Sequence, residues 1–210
     1  MKITVINGGP RKNWNTDQLT KQFVDGIKNQ IDDVEIKEIY VYDYQFSGCR
    51  SCFACKLKKY ENEALTCRYQ DSITDLLLET RNSDVIVLSS PIYFTDLSAQ
   101  LKLFLERLMY PGKINRSIPT ALLITMGGTN LQSVKPSLDI TCNYWFNNFN
   151  YRPDIYSAVD TFPRHNEHLY RKSSADNEAK RIKHEKYFND ELKRFYNHGI
   201  EFINKLKPEE

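Results

Sequence analysis

The chain predicts a doubly wound α/β fold, a parallel sheet of five strands with helices on both faces. Two observations carry this. Short apolar runs alternate with segments of helical periodicity along the whole chain, and two of those runs, Asp84–Ser89 and Thr120–Thr125, are apolar without alternation, as strands buried on both faces are. Parallel strands joined through helices require right-handed crossovers, which stack the helices on the two faces.

The elements follow in order. Ile3–Ile6 is a short apolar strand ending in Asn7-Gly8-Gly9-Pro10, and the segment Asn15–Gln30 places Leu19, Phe23, Val24 and Ile27 at helical spacing. Val34–Val41 alternates as a second strand. From Asp71 the helical pattern returns through Ile73, Leu76 and Leu77, ahead of the strand Asp84–Ser89. A helix is expected over Leu97–Met109, a strand over Thr120–Thr125, a helix over Leu131–Asn147 and a weaker fifth strand over Tyr151–Val159. The segment 176–206 is charged but spaces Ile182, Phe188, Leu192, Phe195, Phe202 and Ile203 as the apolar stripe of a long closing helix. The expected organisation is one domain over 1–210, with a cysteine-rich insertion at about 46–70.

Composition excludes several classes. With 40% hydrophobic and 12% aromatic residues the chain has material for a real core. A net charge of +2, from 29 basic and 27 acidic residues, provides no global field to draw it to nucleic acid or a membrane surface. No apolar run approaches the roughly 20 residues of a membrane span. The opening MKITVING reads as a strand and not a leader, so a cytoplasmic protein with reduced thiols is expected.

Ligands of such sheets bind beyond the carboxyl ends of the strands, where the strand order reverses. Three loops should meet there. The first, Asn7–Thr16, has neither G-x-G-x-x-G nor G-x-x-x-x-G-K-[ST], which excludes a dinucleotide fingerprint and a nucleoside-triphosphate loop. It fits a monophosphate cradle: Gly8 and Gly9 permit close backbone approach, Arg11 supplies charged donors, and Asn15 or Thr16 caps the helix with its amides facing the same point. An ordinary strand-to-helix turn with a solvated arginine is the plainer alternative. The second loop, Ser90-Pro91-Ile92-Tyr93-Phe94, is aromatic where loops are usually polar, which suits a flat apolar ligand or packing under the next helix. The third, Met126-Gly127-Gly128-Thr129, has bare backbone amides suited to approach a ring edge or ring carbonyl, but taken alone it is only a turn.

Four of the five cysteines fall within nineteen residues, as Cys49-x-x-Cys52-x-x-Cys55 followed by Cys67. A disulfide framework does not suit a chain of this length and expected compartment. Structural zinc usually draws two separated C-x-x-C pairs. Three thiolates at intervals of three with a more distant fourth match a ferredoxin-type iron-sulfur pattern; unliganded or redox-active thiols are the remaining alternative. His165 and His168 lack a third metal ligand and read as a solvated loop. The basic run Lys180–Lys186 is balanced by nearby acids and reads as the wet face of the last helix.

Three motifs in this order, Gly8-Gly9-Pro10-Arg11 through Asn15-Thr16, Ser90-Pro91-Ile92-Tyr93, and Ser98-Ala99-Gln100-Leu101-Lys102-Leu103-Phe104-Leu105-Glu106-Arg107, resemble those of the flavodoxin-like NAD(P)H-dependent FMN reductase and iron-sulfur flavoprotein superfamily. The resemblance covers residues 1 to about 160, with Gly9 in place of the usual serine. It implies a strand order of 2-1-3-4-5 and FMN, with the phosphate near Gly9, Arg11, Asn15 and Thr16 and the ring against Pro91, Ile92, Tyr93 and Phe94 and near Met126, Gly127 and Gly128. It further implies NAD(P)H as hydride donor, a quinone, flavin, aromatic or redox-partner protein as acceptor, no catalytic acid or base, and a homodimer or homotetramer. Its iron-sulfur members imply a 4Fe-4S cluster on Cys49, Cys52, Cys55 and Cys67, although the gap from Cys55 to Cys67 is longer than usual there. An electron carrier with FMN and cluster, or a non-catalytic fold relative that binds without turnover, are the alternative functions.

Overall fold

The computed structural model describes residues 1–162 and 175–207. Its strands are β1 (Lys2–Asn7), β2 (Glu35–Tyr40), β3 (Val85–Tyr93), β4 (Asp96–Leu97), β5 (Thr120–Thr125) and β6 (Asp154–Ala158). The helices are α1 (Asn15–Lys28), α2 (Thr74–Arg81), α3 (Ala99–Met109), α4 (Lys135–Phe149) and α5 (Ala175–Asn204). Five strands form one parallel sheet in the order β2-β1-β3-β5-β6. The predicted order is therefore found, and the switch point lies between β1 and β3.

Strand parity sorts the core into two layers. Ile3 and Val5 of β1, Val85 and Val87 of β3, and Ala121 and Leu123 of β5 face α1 and α5, packing on Phe23, Phe195 and Phe202. The alternate residues Ile6, Ile86, Leu88, Leu122 and Ile124 face Leu101, Phe104, Leu138 and Trp145 on the other side. Trp145 is fully buried, and its indole Nε1 donates to Thr120 Oγ1 across 2.5 Å, so it belongs to the core, as does buried Cys142.

Helices α1 and α5 approach unusually closely. A Cβ on Gly26 would stand 2.0 Å from the carbonyl oxygen of Tyr196, and one on Gly199 would stand 2.0 Å from that of Phe23. Only glycines on both helices permit this contact, which fixes the 30-residue α5 against the first helix.

Several boundaries depart from expectation. The apolar segment Ser90–Phe94 is not a free loop: β3 continues to Tyr93 and turns back through β4, pairing Ile92 with Leu97 and Tyr93 with Asp96. The turn residues Phe94 and Thr95 have φ of +48° and +66°, the left-handed pair of a tight two-residue hairpin. Helix α3 starts at Ala99 because Ser98 caps it, its side chain accepting from the Leu101 amide. The helix expected from Leu131 begins as a single 3₁₀ turn and becomes α-helical only at Lys135, where proline at the second position suits a helix start. Among the described residues no helix is long and apolar enough to cross a membrane. His165 and His168 lie outside the described residues.

Candidate functional site: three loops at the switch point and a thiol hollow

The loop after β1 is held from both sides. Gly8 N–H donates to the Ser89 carbonyl at 2.7 Å, and the Ser98 hydroxyl donates to the Gly8 carbonyl at 2.7 Å. A side chain at Gly8 would meet Leu101 Cβ at 2.8 Å, so glycine is what lets β1, β3 and α3 converge here. Gly9 directs its amide to Asn7 Oδ1 at 2.8 Å. Asn7 in turn donates to Asp17 Oδ1.

Asp17 anchors the far side of the loop. It is 1% exposed and receives Asn13 N–H at 2.6 Å, Tyr40 O–H at 2.9 Å and the Lys21 ammonium at 2.9 Å. Burial alone would raise its pKa, but the bonds from Lys21, Asn13 and Tyr40 outweigh burial and hold the carboxyl below the usual range. Burial, and then the bond to Asp17, raises the pKa of the Tyr40 phenol far above its ordinary value. Sequence reasoning missed Asn7 and Asp17; the only trace of them was a carboxylate in the first turn of a helix proposed to face an anion.

The capping expectation fails in detail. The residue at the N-cap of α1 is Trp14, and among the described residues no side chain caps the helix. Asn15 and Thr16 turn inward instead: Asn15 Nδ2 donates to the Phe162 carbonyl at 2.8 Å, and Thr16 Oγ1 shares a 2.7 Å hydrogen bond with Thr125 Oγ1. No described side chain caps the first-turn amides, and an anion at this end would meet the positive end of the helix dipole, which Asp17 of the first turn already meets in part. Arg11 stands over the Trp14 ring with its guanidinium carbon 5.4 Å from the ring centroid. It is also close enough to Tyr93 to pull the phenol's pKa down, against the burial that raises it overall. Two buried polar atoms here lack a partner within the described chain, Asn15 Oδ1 and Ser89 Oγ. Buried polar atoms are normally satisfied, so both point to a hydrogen-bonding ligand.

The second and third loops flank this point. Pro91 and Ile92 are half-buried, Tyr93 is exposed, and Phe94 is 102% exposed on a backbone conformation that bulky residues rarely adopt. The Met126–Gly128 loop is stitched to the end of β6 by Met126 N–H to Ala158 O (3.0 Å), Thr161 N–H to Met126 O (3.0 Å) and Asp160 N–H to Gly128 O (2.9 Å). Met126 is buried and Gly128 exposed, so this loop presents backbone on its outer side.

Helix α5 also reaches the site, which the sequence reading did not foresee. Lys180 Nζ donates to the Gly127 carbonyl at 2.6 Å and pairs with Asp160 at 3.6 Å, while Lys183 binds the same carboxylate at 2.5 Å. His184 stacks between Phe188 (4.3 Å between centroids) and Trp14 (6.0 Å), beside Phe162. The run 180–186 is thus only partly a wet face: Arg181 spans Glu178 and Glu185 in solvent, but Lys180 and His184 turn toward the loops.

The cysteine segment forms a separate centre. Cys49, Cys52, Cys55 and Cys67 line one hollow together with Arg50, Arg68, Tyr69, Arg107 and Tyr110. Cys52 is exposed and the other three are half-buried. Burial and the neighbouring sulfurs of Cys67 and Cys49 push the Cys55 thiol up, against the pull of Lys56. The hollow is tied to the end of α3: Glu106 Oε2 accepts the Cys49 amide at 3.1 Å, and buried Arg107 donates to Cys67 Sγ at 3.4 Å and to the Tyr69 carbonyl at 2.7 Å. Among the described residues no group of three or more His, Cys, Asp or Glu side chains is placed to hold a metal ion. The four thiols share a hollow, and as they stand they are not a finished coordination shell.

The residues at the first loop fit a flavin mononucleotide. An open helix N-terminus and Arg11 suit the phosphate, and unpartnered Asn15 Oδ1 suits a hydroxyl of the sugar chain.

The chain is similar to several known proteins. The chain is 32% identical over 107 residues to an iron-sulfur flavoprotein of Methanocaldococcus jannaschii, covering 51% of each chain. It is 28% identical over 128 residues to an NADPH azoreductase of a Bacillus species, covering 61% of this chain and 60% of the other. The chain thus spans about half the length of the first iron-sulfur relatives it matches. Among solved structures, the FMN-dependent NADH-azoreductase of Bacillus anthracis in complex with FMN superposes with a TM-score of 0.63 at 14% identity, covering 99% of both chains, which shows the shared fold. The sequence pattern of the NADPH-dependent FMN reductase family matches residues 1–163, three quarters of the chain and all three loops, and on that match the chain belongs to this family.

Proposed function

We propose that the chain binds FMN at the β1–β3 switch point and uses it to pass electrons from NAD(P)H to a small acceptor such as a quinone, a free flavin or an aromatic compound. The observation that carries this reading is the uncapped N-terminus of α1 beside Arg11, with Asn15 Oδ1 buried and unpartnered at the same point. When bound, the flavin supplies the hydride chemistry, accepting a hydride from the nicotinamide and delivering electrons onward.

The chain's own tasks are then to bind, orient and exclude water. Gly9, Arg11, Asn15 and Thr16 surround the phosphate and sugar chain. The segment Pro91–Phe94 supplies the apolar wall, with exposed Phe94 positioned for a flat acceptor or nicotinamide, and Met126–Gly128 offers backbone to the ring edge. No side-chain acid or base is required. A homodimer or homotetramer acting in the cytoplasm on a diffusible acceptor completes the reading.

Purification tests it: the protein should carry flavin absorbance, release FMN on denaturation, and oxidise NADH or NADPH in the presence of a quinone. A colourless protein that ignores added FMN would sink it.

The four thiols in one hollow favour a second reading, in which Cys49, Cys52, Cys55 and Cys67 take a 4Fe-4S cluster and the chain passes electrons on to a protein partner. Anaerobic purification should then yield iron and acid-labile sulfide, both lost on Cys67→Ser while FMN stays bound. Iron-free protein from anaerobic preparation would exclude it.

A further inference from the structure

The segments that lead into β3 and β5, at the edge of the sheet away from the three loops, border a second hollow of about 270 Å³. Arg81, Asn82, Asn115 and Arg116 form its polar wall, and Leu65, Leu78 and Ile114 its apolar one. Among the described residues no acidic side chain lines it. Arg81 is 3% exposed. Its Nη1 donates to the Leu108 carbonyl at 2.5 Å and its Nη2 to the Gly112 carbonyl at 2.7 Å, while the buried Nε–H meets no acceptor among the described residues. Arg116 spends only Nη2, on the carbonyls of Arg81 and Ser83 at 2.7 and 2.8 Å. The acids nearest in sequence are engaged elsewhere: Glu79 pairs with Lys37, Glu63 with Arg68, and Asp84 accepts the Lys2 amide. The Phe149 ring, 5.2 Å from the Arg81 guanidinium carbon, and the carbonyl ends of α2 and α3 offset part of the charge. Two guanidinium charges against two helix ends of about half a unit each leave roughly one positive charge at the hollow. Burial accordingly pushes the Arg81 pKa down to about 10, with Cys55 acting in the opposite direction.

We infer that this hollow is a binding site for a small amphiphilic carboxylate, held by Arg81 and Arg116 at its charged end and covered along its apolar body by Leu65, Leu78 and Ile114. Buried charges are normally paired, and the unspent donors of a guanidinium fork match a carboxylate in geometry as well as charge. The carboxamides of Asn82 and Asn115 add neutral donors on the same wall. Inorganic phosphate would satisfy the arginines but leave the apolar wall in water, so the ligand carries a hydrocarbon or aromatic body. Leu65 belongs to the cysteine-rich insertion and Leu78 to α2, so such a ligand clamps the insertion to the domain. The hollow lies apart from the switch point, and the inference does not rest on the FMN reading.

The test is titration of the isotopically labelled full chain with sodium benzoate, read by backbone amide shifts and by calorimetry. Benzoate should bind saturably with a Kd below about 1 mM, shifting the amides of residues 65, 78–82 and 114–116. Benzyl alcohol has nearly the same shape without the charge, and inorganic phosphate has the charge without the ring; each should bind at least about tenfold more weakly. Arg116 is exposed, so Arg116→Gln should fold, and it should weaken benzoate by at least about tenfold through loss of a charge-assisted bond. Arg81→Lys should weaken it similarly, and Arg116→Gln decides the matter if that variant does not fold. No saturable benzoate binding below about 1 mM, or binding that Arg116→Gln leaves unchanged, overturns the inference and leaves the two arginines as ties between the ends of α2 and α3. Shifts confined to residues 7–16, 90–94 and 126–128 would place benzoate at the switch point and overturn it as well. Phosphate or benzyl alcohol binding as tightly as benzoate overturns the assignment to an amphiphilic carboxylate.

Discussion

Arg107 joins the end of α3 to Cys67, its Nε donating to Sγ across 3.4 Å. Its other nitrogens bind Asp71 and the carbonyls of Ser47 and Tyr69, so one fully buried guanidinium gathers both ends of the cysteine segment. Ser98, at the opposite end of the same helix, holds Gly8. The helix is a strut between the switch-point loops and the thiols, roughly 13 Å long from Ser98 to Arg107 at 1.5 Å per residue.

Arg107→Met should therefore be severe. It strands the Asp71 carboxylate and the Tyr69 and Ser47 carbonyls, and breaking a buried pair from one side typically costs about 3–5 kcal/mol. Urea denaturation measures it. A loss below about 1 kcal/mol would contradict the gathering role.

The facing glycines of α1 and α5 make a second prediction. Gly199→Ala places a methyl 2.0 Å from the Phe23 carbonyl, an atom of the backbone that cannot rotate away. Overpacking a tight contact typically costs about 1–3 kcal/mol, and rigid backbone puts this site at about 3 or above. Gly26→Ala should match it, and the double variant should cost less than the sum, because the first methyl already separates the helices. Thermal denaturation of the three variants checks both points.

The stack around His184 predicts a pH dependence. Burial among Trp14, Phe162 and Phe188 lowers its pKa below 6.5, although neighbouring Glu185 acts in the opposite direction. The folded chain then binds fewer protons at this site than the unfolded chain, so stability contributed here is present above the unfolded pKa of about 6.5 and is lost as pH falls through the lower folded value. His184→Phe should flatten the stability profile below pH 6.5 or so. An unchanged slope in denaturation midpoints across that range would show that another group is responsible.

How much of this was legible follows from what periodicity reports. The unalternated runs of β3 and β5 gave burial on two faces, which is why a doubly wound parallel sheet could be read; the strand order was implied by the family resemblance. Motif positions led to the expectation that the loops holding Arg11, Tyr93 and Gly127 meet, because loops at the carboxyl ends of adjacent strands converge; of these, Arg11 and Tyr93 stand close enough to interact. Periodicity does not report partners. Asn15 and Thr16 look like caps in sequence, but their side chains turn to Phe162 and Thr125 across the fold. The Tyr93–Asp96 hairpin was hidden because its turn uses Phe94 and Thr95 in left-handed conformations, without the glycine or asparagine that marks such turns. Lys180 read as solvated for the same reason: its partner, the Gly127 carbonyl, is 53 residues away. The proximity of the four thiols was suggested by their spacing, whereas the grip of Glu106 and Arg107 on them was not.

Equilibrium titration of the apoprotein with FMN, followed by quenching of flavin fluorescence, tests the proposed phosphate cradle most directly. Wild-type chain should bind one FMN, and Arg11→Ala should weaken that binding by about 1–3 kcal/mol through loss of a charge-assisted bond to the phosphate. Riboflavin, which lacks the phosphate, should bind both proteins alike. Wild-type protein that does not bind FMN, or an Arg11→Ala variant that binds it with undiminished affinity, would contradict the cradle.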